Sequence, residues 1–272
     1  MFPFLRKYLA VLRIGLSSSM EYRANFLINT ILFVVVSALI QMYLWFAVYH
    51  STNRATVGGM SEQQMLLYIG CSVMCYSLTR GGRAERETAG TIRMGGLNNY
   101  LLKPISHGFY TYVSSISEHI SSAVFVLVPS VLIITPLSLW YNVPISVTGL
   151  IAALPVLFLG MTMNFLMGLM ISYLAFWLDE VWTFHAMKDI SYALLSGMMV
   201  PLSVLPPHIK NISDSLPFQF LSYIPAGLIS GNIPTSQLTV ILFQSTVWLC
   251  LLLAATYGLW RLGLRRYGAF GG

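Results

Sequence analysis

Long apolar runs separated by short polar segments dominate this chain. From Phe26 to Val48 there are 23 residues without a charge, enough for the roughly 20 that a bilayer-spanning helix needs. Similar runs predict six spans, at about 26–48, 63–79, 120–139, 147–178, 190–205 and 240–260. The second is tight, because Glu62 and Arg80 bound it and Arg80 would have to snorkel. The fifth is short. Ahead of the first span, Leu5, Leu9, Leu12 and Leu16 recur at helical spacing while Arg6 and Arg13 point elsewhere. Residues 3–19 therefore read as an amphipathic helix lying in the membrane interface.

Composition agrees with this reading. Hydrophobic residues make up 56% of the 272 and charged residues 9%, where a soluble domain carries about 25% charged. A soluble fold could not cover its surface with so few charges, so the pattern is that of an all-α, polytopic membrane protein. The net charge of +6 does not point to nucleic acid, because the basic residues sit in short segments between apolar runs. They act as topology signals instead. With the N-terminus inside, thirteen of the fifteen Lys and Arg fall in inside segments and only Arg54 and Lys210 outside. That asymmetry predicts that both termini are cytoplasmic. No cleavable signal is expected, since no small-residue cleavage site follows the first run.

Little in the sequence points to catalysis. There is no HExxH, no Gly-x-Ser-x-Gly and no Gly-Lys pair from which a phosphate-binding Walker loop could be built. No cofactor or metal is expected on this chain. Cys71 and Cys75 lie four apart on one face of an apolar helix and read as small packing residues. His50, His107, His185 and His208 sit near expected interfaces. Glu118 and His119 are the ionisable pair nearest membrane depth, a candidate substrate path. Helix packing at the inner interface is the alternative, and Ser114, Ser115, Ser117, Ser121 and Ser122 around the pair suit either close packing or a wet groove.

Three polar segments call for separate readings. Residues 80–107 form the longest, and the glycine pairs Gly81-Gly82 and Gly95-Gly96 bracket a stretch, 83–94, that predicts a short helix, divided in two at Gly90. Ile92, Leu97, Tyr100, Leu101 and Leu102 make this segment too apolar for a simple tether, and it reads as a docking element that its own chain leaves uncovered. Residues 179–189 carry Asp179, Glu180 and Lys188 beside Trp182, Phe184 and Met187, which fits either an interfacial turn or a second docking contact. Residues 206–237 hold Pro206, Pro207, Pro217, Pro225 and Pro234, and from 215 to 260 there is no charge. The prolines forbid a second continuous span. The expectation is a re-entrant outer segment that serves as a gate, with Pro206, Pro207, Pro217, Phe218, Pro225 and Gly231 as its candidate residues.

Taken in order, these features resemble the type-2 permeases of ATP-binding cassette (ABC) exporters. The stretch GTIRMGGLNNYLLKPIS resembles a bacterial subfamily's loop, in which a glycine-led segment precedes Tyr-Leu-Leu-Lys/Arg-Pro, here Tyr100 to Pro104. MVPLSVLPPHIKNISDSLPFQFLSYIPAGLISG resembles the same subfamily's Pro-Leu, Pro-Pro and Leu-Pro-Phe series. The resemblance covers essentially the whole chain, 1–272, as a single permease domain. It implies a non-catalytic subunit of the cell (inner) membrane that pairs with a second permease, identical or related, among membrane lipids. Two cytoplasmic ATPase subunits would hold ATP and Mg. Arg83, Arg86, Glu87, Thr91, Ile92, Arg93 and Leu97 would be the ATPase-coupling interface. The alternatives are an ion-coupled secondary transporter, which would need ion-coupling residues and an internal repeat, and an integral-membrane lipid-modifying enzyme.

Overall fold

The computed structural model describes residues 3–21, 23–52 and 54–267. Helix α1 (Pro3–Glu21) is followed by α2 (Arg23–Thr52), a two-residue-strand hairpin, β1 (Thr56–Val57) and β2 (Met60–Ser61), and α3 (Glu62–Thr79). Next come two short helices, α4 (Ala84–Arg93) and α5 (Asn98–Leu101), then the long α6 (His107–Tyr141) and α7 (Val147–Tyr173). Helices α8 (Trp182–Leu195), α9 (Pro207–Asp214), α10 (Tyr223–Ile229) and α11 (Leu238–Arg266) complete the chain. Among the described residues four segments, Ile28–Thr52, His107–Tyr141, Val147–Phe176 and Thr235–Arg266, are long and apolar enough to cross a membrane. The protein is thus all-α and multi-pass.

Helix α3 lies outside that set for a physical reason. Its polar start, Glu62-Gln63-Gln64, lowers its hydropathy, but nearly every side chain from Met65 to Tyr76 is buried. Surrounded by α2, α6, α7 and α10, it needs no lipid-compatible surface. Ser61 begins it with a reciprocal cap, its hydroxyl accepting from Gln64 N–H while the Gln64 side chain accepts from Ser61 N–H.

The expected N-terminal helix forms, but the leucines do not make one buried stripe. Leu9 is exposed, and α1 meets α6 through Tyr8, which is buried, and Gly15, whose missing Cβ leaves room for the Ser117 side chain. The side chain of Leu5 lies outside the described residues.

The expected fifth span, 190–205, is not a continuous helix. Helix α8 starts earlier and ends at Leu195, because Gly197 turns the chain at a left-handed φ of 78°. The Tyr68 hydroxyl donates to Gly197 O (2.8 Å), and a Cβ there would crowd Tyr223. Irregular backbone then leads to a 3-10 turn at Leu202–Val204.

The proline-rich segment divides into two parts. Residues 206–212 are largely exposed, whereas Pro217, Phe220, Leu221 and the run from Ile224 to Ser230 are buried against α3 and α7. Backbone polar groups inside an apolar bundle need partners, and the neighbouring elements supply them. Tyr223 N–H donates to Ser196 O (2.8 Å), Ser146 N–H donates to Ile229 O (3.0 Å), and the Ser222 hydroxyl donates to Ser72 O (2.9 Å). Helix α7 approaches closely because Gly149 and Gly160 face the carbonyls of Leu228 and Phe220.

The contact at Gly149 has a measurable consequence. Gly149→Ala drives a methyl into the Leu228 carbonyl, while Gly258→Ala on α11 points into open space. Overpacking costs about 1–3 kcal/mol, whereas alanine in a free helical position gains up to about 1 kcal/mol over glycine. Thermal unfolding in detergent should show Gly149→Ala lowered and Gly258→Ala unchanged or raised.

Candidate functional site

The site begins with α4. Its residues alternate between two faces at helical spacing. Glu85, Thr88, Ala89 and Ile92 are buried, while Arg83, Glu87 and Met94 are exposed. The helix runs unbroken through Gly90 and stops where Gly95 adopts a φ of 73°. The expected division into two pieces is absent. The premise that nothing in the chain covers this segment also needs correcting. Ile92 is 4% exposed and Leu97 is fully buried, because α4 packs into the bundle against α6 and α7. These two residues anchor the segment from within.

Its N-terminus is capped from another helix. Glu118 of α6 accepts a hydrogen bond from Arg83 N–H (2.8 Å) and another from Ala84 N–H. A carboxylate at this position satisfies orphan donors and complements the positive end of the helix dipole. Gly82 makes the approach feasible, since a Cβ there would collide with the Glu118 carboxylate. The Glu118 carboxylate is therefore engaged in positioning α4. His119 lies beside it, and its ring bonds Leu78 O.

Beneath α4 lies a polar cluster that sequence reasoning missed. Glu85 is fully buried, and neither carboxylate oxygen has a hydrogen-bond partner among the described residues. Lys188 Nζ and Asn164 Nδ2 converge on the same space beside Gly81, where any side chain would collide with Glu85. Gly168 on α7 similarly leaves room for the Glu85 stem. Lys188 donates to Asn164 Oδ1 (3.0 Å) and lies 3.6 Å from Asp189. Asn164 donates to Thr79 O (2.7 Å), and the Thr79 hydroxyl, whose one proton lies between Leu221 O and Cys75 O (2.9 Å each), meets the Tyr192 hydroxyl. On its other side, the Glu85 carbonyl accepts from Ser172, whose hydroxyl lies 3.0 Å from His185 Nε2. A buried polar path thus runs from Lys188, packed beside Glu85 of α4 without bonding it, to the backbone of the proline-rich segment.

One signal for Glu85 was present in the sequence. Positions 85, 89 and 92 share a helical face, which puts a carboxylate on the apolar side of α4. Burial pushes its carboxyl up to about 7, with the Lys188 ammonium pulling back part of that rise.

The two expected docking segments meet each other. Arg86 pairs with Asp189 at 2.5 Å, and Arg93 pairs with Glu180 at 3.5 Å and with the Asp179 carbonyl. Residues 179–189 are not a simple interfacial turn, since α8 begins at Trp182. The Lys188 side chain is 4% exposed, too buried to be a docking contact. Thr91 donates to the Glu87 carbonyl. Among the candidate gate residues, Pro217 and Pro225 are buried, Phe218 is half-buried, and Pro206, Pro207 and Gly231 are exposed. Among the described residues no group of three His, Cys, Asp or Glu could hold a metal.

The raised Glu85 carboxyl predicts a pH dependence with a definite sign. Its folded value near 7 exceeds the ordinary carboxylate value of 4.5. Folding therefore takes up a proton at this group between those limits, and its contribution to stability is full below about 4.5 and is lost as pH rises through about 7. That shift corresponds to about 3 kcal/mol. The wild-type unfolding midpoint, taken relative to that of Glu85→Gln, should fall as pH is raised from 4.5 to 8.

A sequence model of the ABC-2 family transporter proteins matches residues 34–271. A search of curated proteins found no match. With the match beginning within α2 and extending over the other three long apolar helices and over α4 with its buried anchors, the chain belongs to the ABC-2 family of transporter proteins and is a multi-pass membrane component of a transport system.

Proposed function

We propose that this chain is the permease subunit of an ABC exporter, driven by ATP and Mg held on two copies of a separate cytoplasmic ATPase. A second permease, identical or related, completes the transport path. Both termini and α4 face the cytoplasm, on the charge asymmetry of the segments between apolar runs, and the membrane is the cell (inner) membrane.

The observation that carries this reading is the two-faced construction of α4. Its inner stripe is fixed by Glu85, Ile92 and the Glu118 cap, while Arg83, Glu87, Thr91 and Met94 form an outer stripe at helical spacing. Met94 is 84% exposed, and Leu101 and Leu102 lie exposed close after it. An apolar, charged stripe on a rigidly held helix suits a groove on a partner protein. Movement of the ATPase pair would push on α4. The push would pass through Glu85, Lys188, Asn164 and Thr79 to Leu221, and the proline-rich segment would act as the outer gate.

The docking surface is tested with residues the fold does not need. Glu87→Arg combined with Met94→Asp changes two exposed side chains and leaves the buried stripe intact. Losing the burial of one large apolar side chain costs about 1.5–3 kcal/mol. The doubly changed permease should insert normally, yet co-purify with its ATPase about ten-fold less well. Hydrolysis should then no longer respond to substrate. Normal co-purification and normal transport would make α4 a passive connector.

A further inference from the structure

A cavity of about 590 Å³ opens beside α4, between α1, α2, α3 and α6. Its walls carry three guanidinium groups, Arg80, Arg83 and Arg86, with Asn29, Thr30 and a row of α6 serines. Two of the three are already engaged. Arg86 is paired with Asp189, and the Arg83 side chain lies 3.9 Å from Glu87. The Glu118 carboxylate on the same wall is taken up by the α4 backbone. Arg80 differs from these. It has no carboxylate within ion-pair distance among the described residues, and its guanidinium lies 5.0 Å from the centre of the Phe33 ring. The cavity therefore holds a cation that its own walls do not neutralise.

The level of the cavity matters as much as its charge. Asn29, Thr30 and Phe33 sit in the first turns of the α2 apolar run. Ser114 to Ser122 lead into that of α6, and Arg80 closes α3. All three helices thus place the cavity at the junction of polar and apolar surface, with Phe33 and Val126 on its apolar side. We propose that it binds the phosphate of an anionic amphiphile, with Arg80 as the principal contact and the apolar tail directed past Phe33. Guanidinium groups bind phosphate by paired, charge-assisted hydrogen bonds. Basic pockets between membrane helices on the cytoplasmic side suit anionic headgroups. The same chemistry would accept a soluble phosphate ester, so the test separates the two sources.

Purified chain in neutral detergent is titrated with phosphatidylglycerol, phosphatidylcholine and sn-glycerol 3-phosphate, with the unfolding midpoint as readout. Phosphatidylglycerol should raise the midpoint saturably and phosphatidylcholine should not. Arg80→Gln should weaken half-saturation about ten-fold, the worth of one charge-assisted contact. Thr30→Trp, which fills the cavity without altering its charge, should do the same. Lys103→Gln removes a cation outside the cavity and should leave binding unchanged. If glycerol phosphate saturated as tightly as the lipid, the site would stand and its ligand would be a soluble anion. Wild-type binding by both Arg80→Gln and Thr30→Trp, or equal binding of phosphatidylcholine, would overturn the proposal. Neither ATP nor transport enters the measurement, so its outcome is independent of the permease reading.

Discussion

Lys188 and Glu85 bring a cation and a carboxyl group into the interior of an apolar bundle, and the arrangement around them follows from that burden. Buried ionisable groups are costly unless polar partners surround them. Asn164 answers Lys188 from α7 and extends the contact to the carbonyl of Thr79. Glycine at 81 and at 168 opens the space that the Glu85 side chain fills. Raising the Glu85 carboxyl towards neutrality relieves part of the remaining penalty. By contrast, the ion pairs of Arg86 and Arg93 are at least partly exposed, and such pairs contribute about 0–1 kcal/mol. The buried cluster, rather than these pairs, fixes where α4 sits.

That distinction gives the site its mechanical character. A short helix held only by surface charges would slide when pushed. Helix α4 is capped by Glu118, wedged by Ile92 and Leu97, and packed through Glu85 beside the Lys188 and Asn164 side chains, whose contacts lead to the backbone of Leu221. The proline-rich segment is held in turn by Ser196, Ser72 and the glycines of α7. A displacement at one end therefore has packed matter in its path to the other, hydrogen-bonded from Lys188 to Leu221. The proposed coupling would act through this continuity and the close packing that makes it stiff.

The long helices were legible because lipid and a buried core ask the same thing of a sequence, a charge-free run of sufficient length. Helices α2, α6, α7 and α11 follow from such runs. Helix α3 was legible between Glu62 and Arg80 although its final environment is protein. The fifth run misled for the complementary reason. Residues 190–205 are apolar, with Tyr192, Met198 and Leu202 buried and Ile190, Leu194 and Met199 exposed, but Gly197 and the contacts of Tyr68 and Tyr223 turn the chain there. Apolarity alone does not distinguish a helix from packed irregular backbone. In the candidate site, the helix between the two glycine pairs was readable, but the assignment of Ile92 and Leu97 to an outside partner was not met. Which face of a short amphipathic helix turns inward depends on partners far away in sequence. Here those partners are on α6, α7 and α8, and only the carboxylate of Glu85 on the apolar side hinted at them.

The central claim is that the polar path joins α4 to the proline-rich segment. Hydrogen exchange of the Asn164→Leu variant tests it directly, since this change cuts the path between Lys188 and Thr79 while conserving volume. The account predicts faster exchange both in 84–93 and in 217–230, on opposite sides of the substitution. Wild-type exchange in both segments would contradict it.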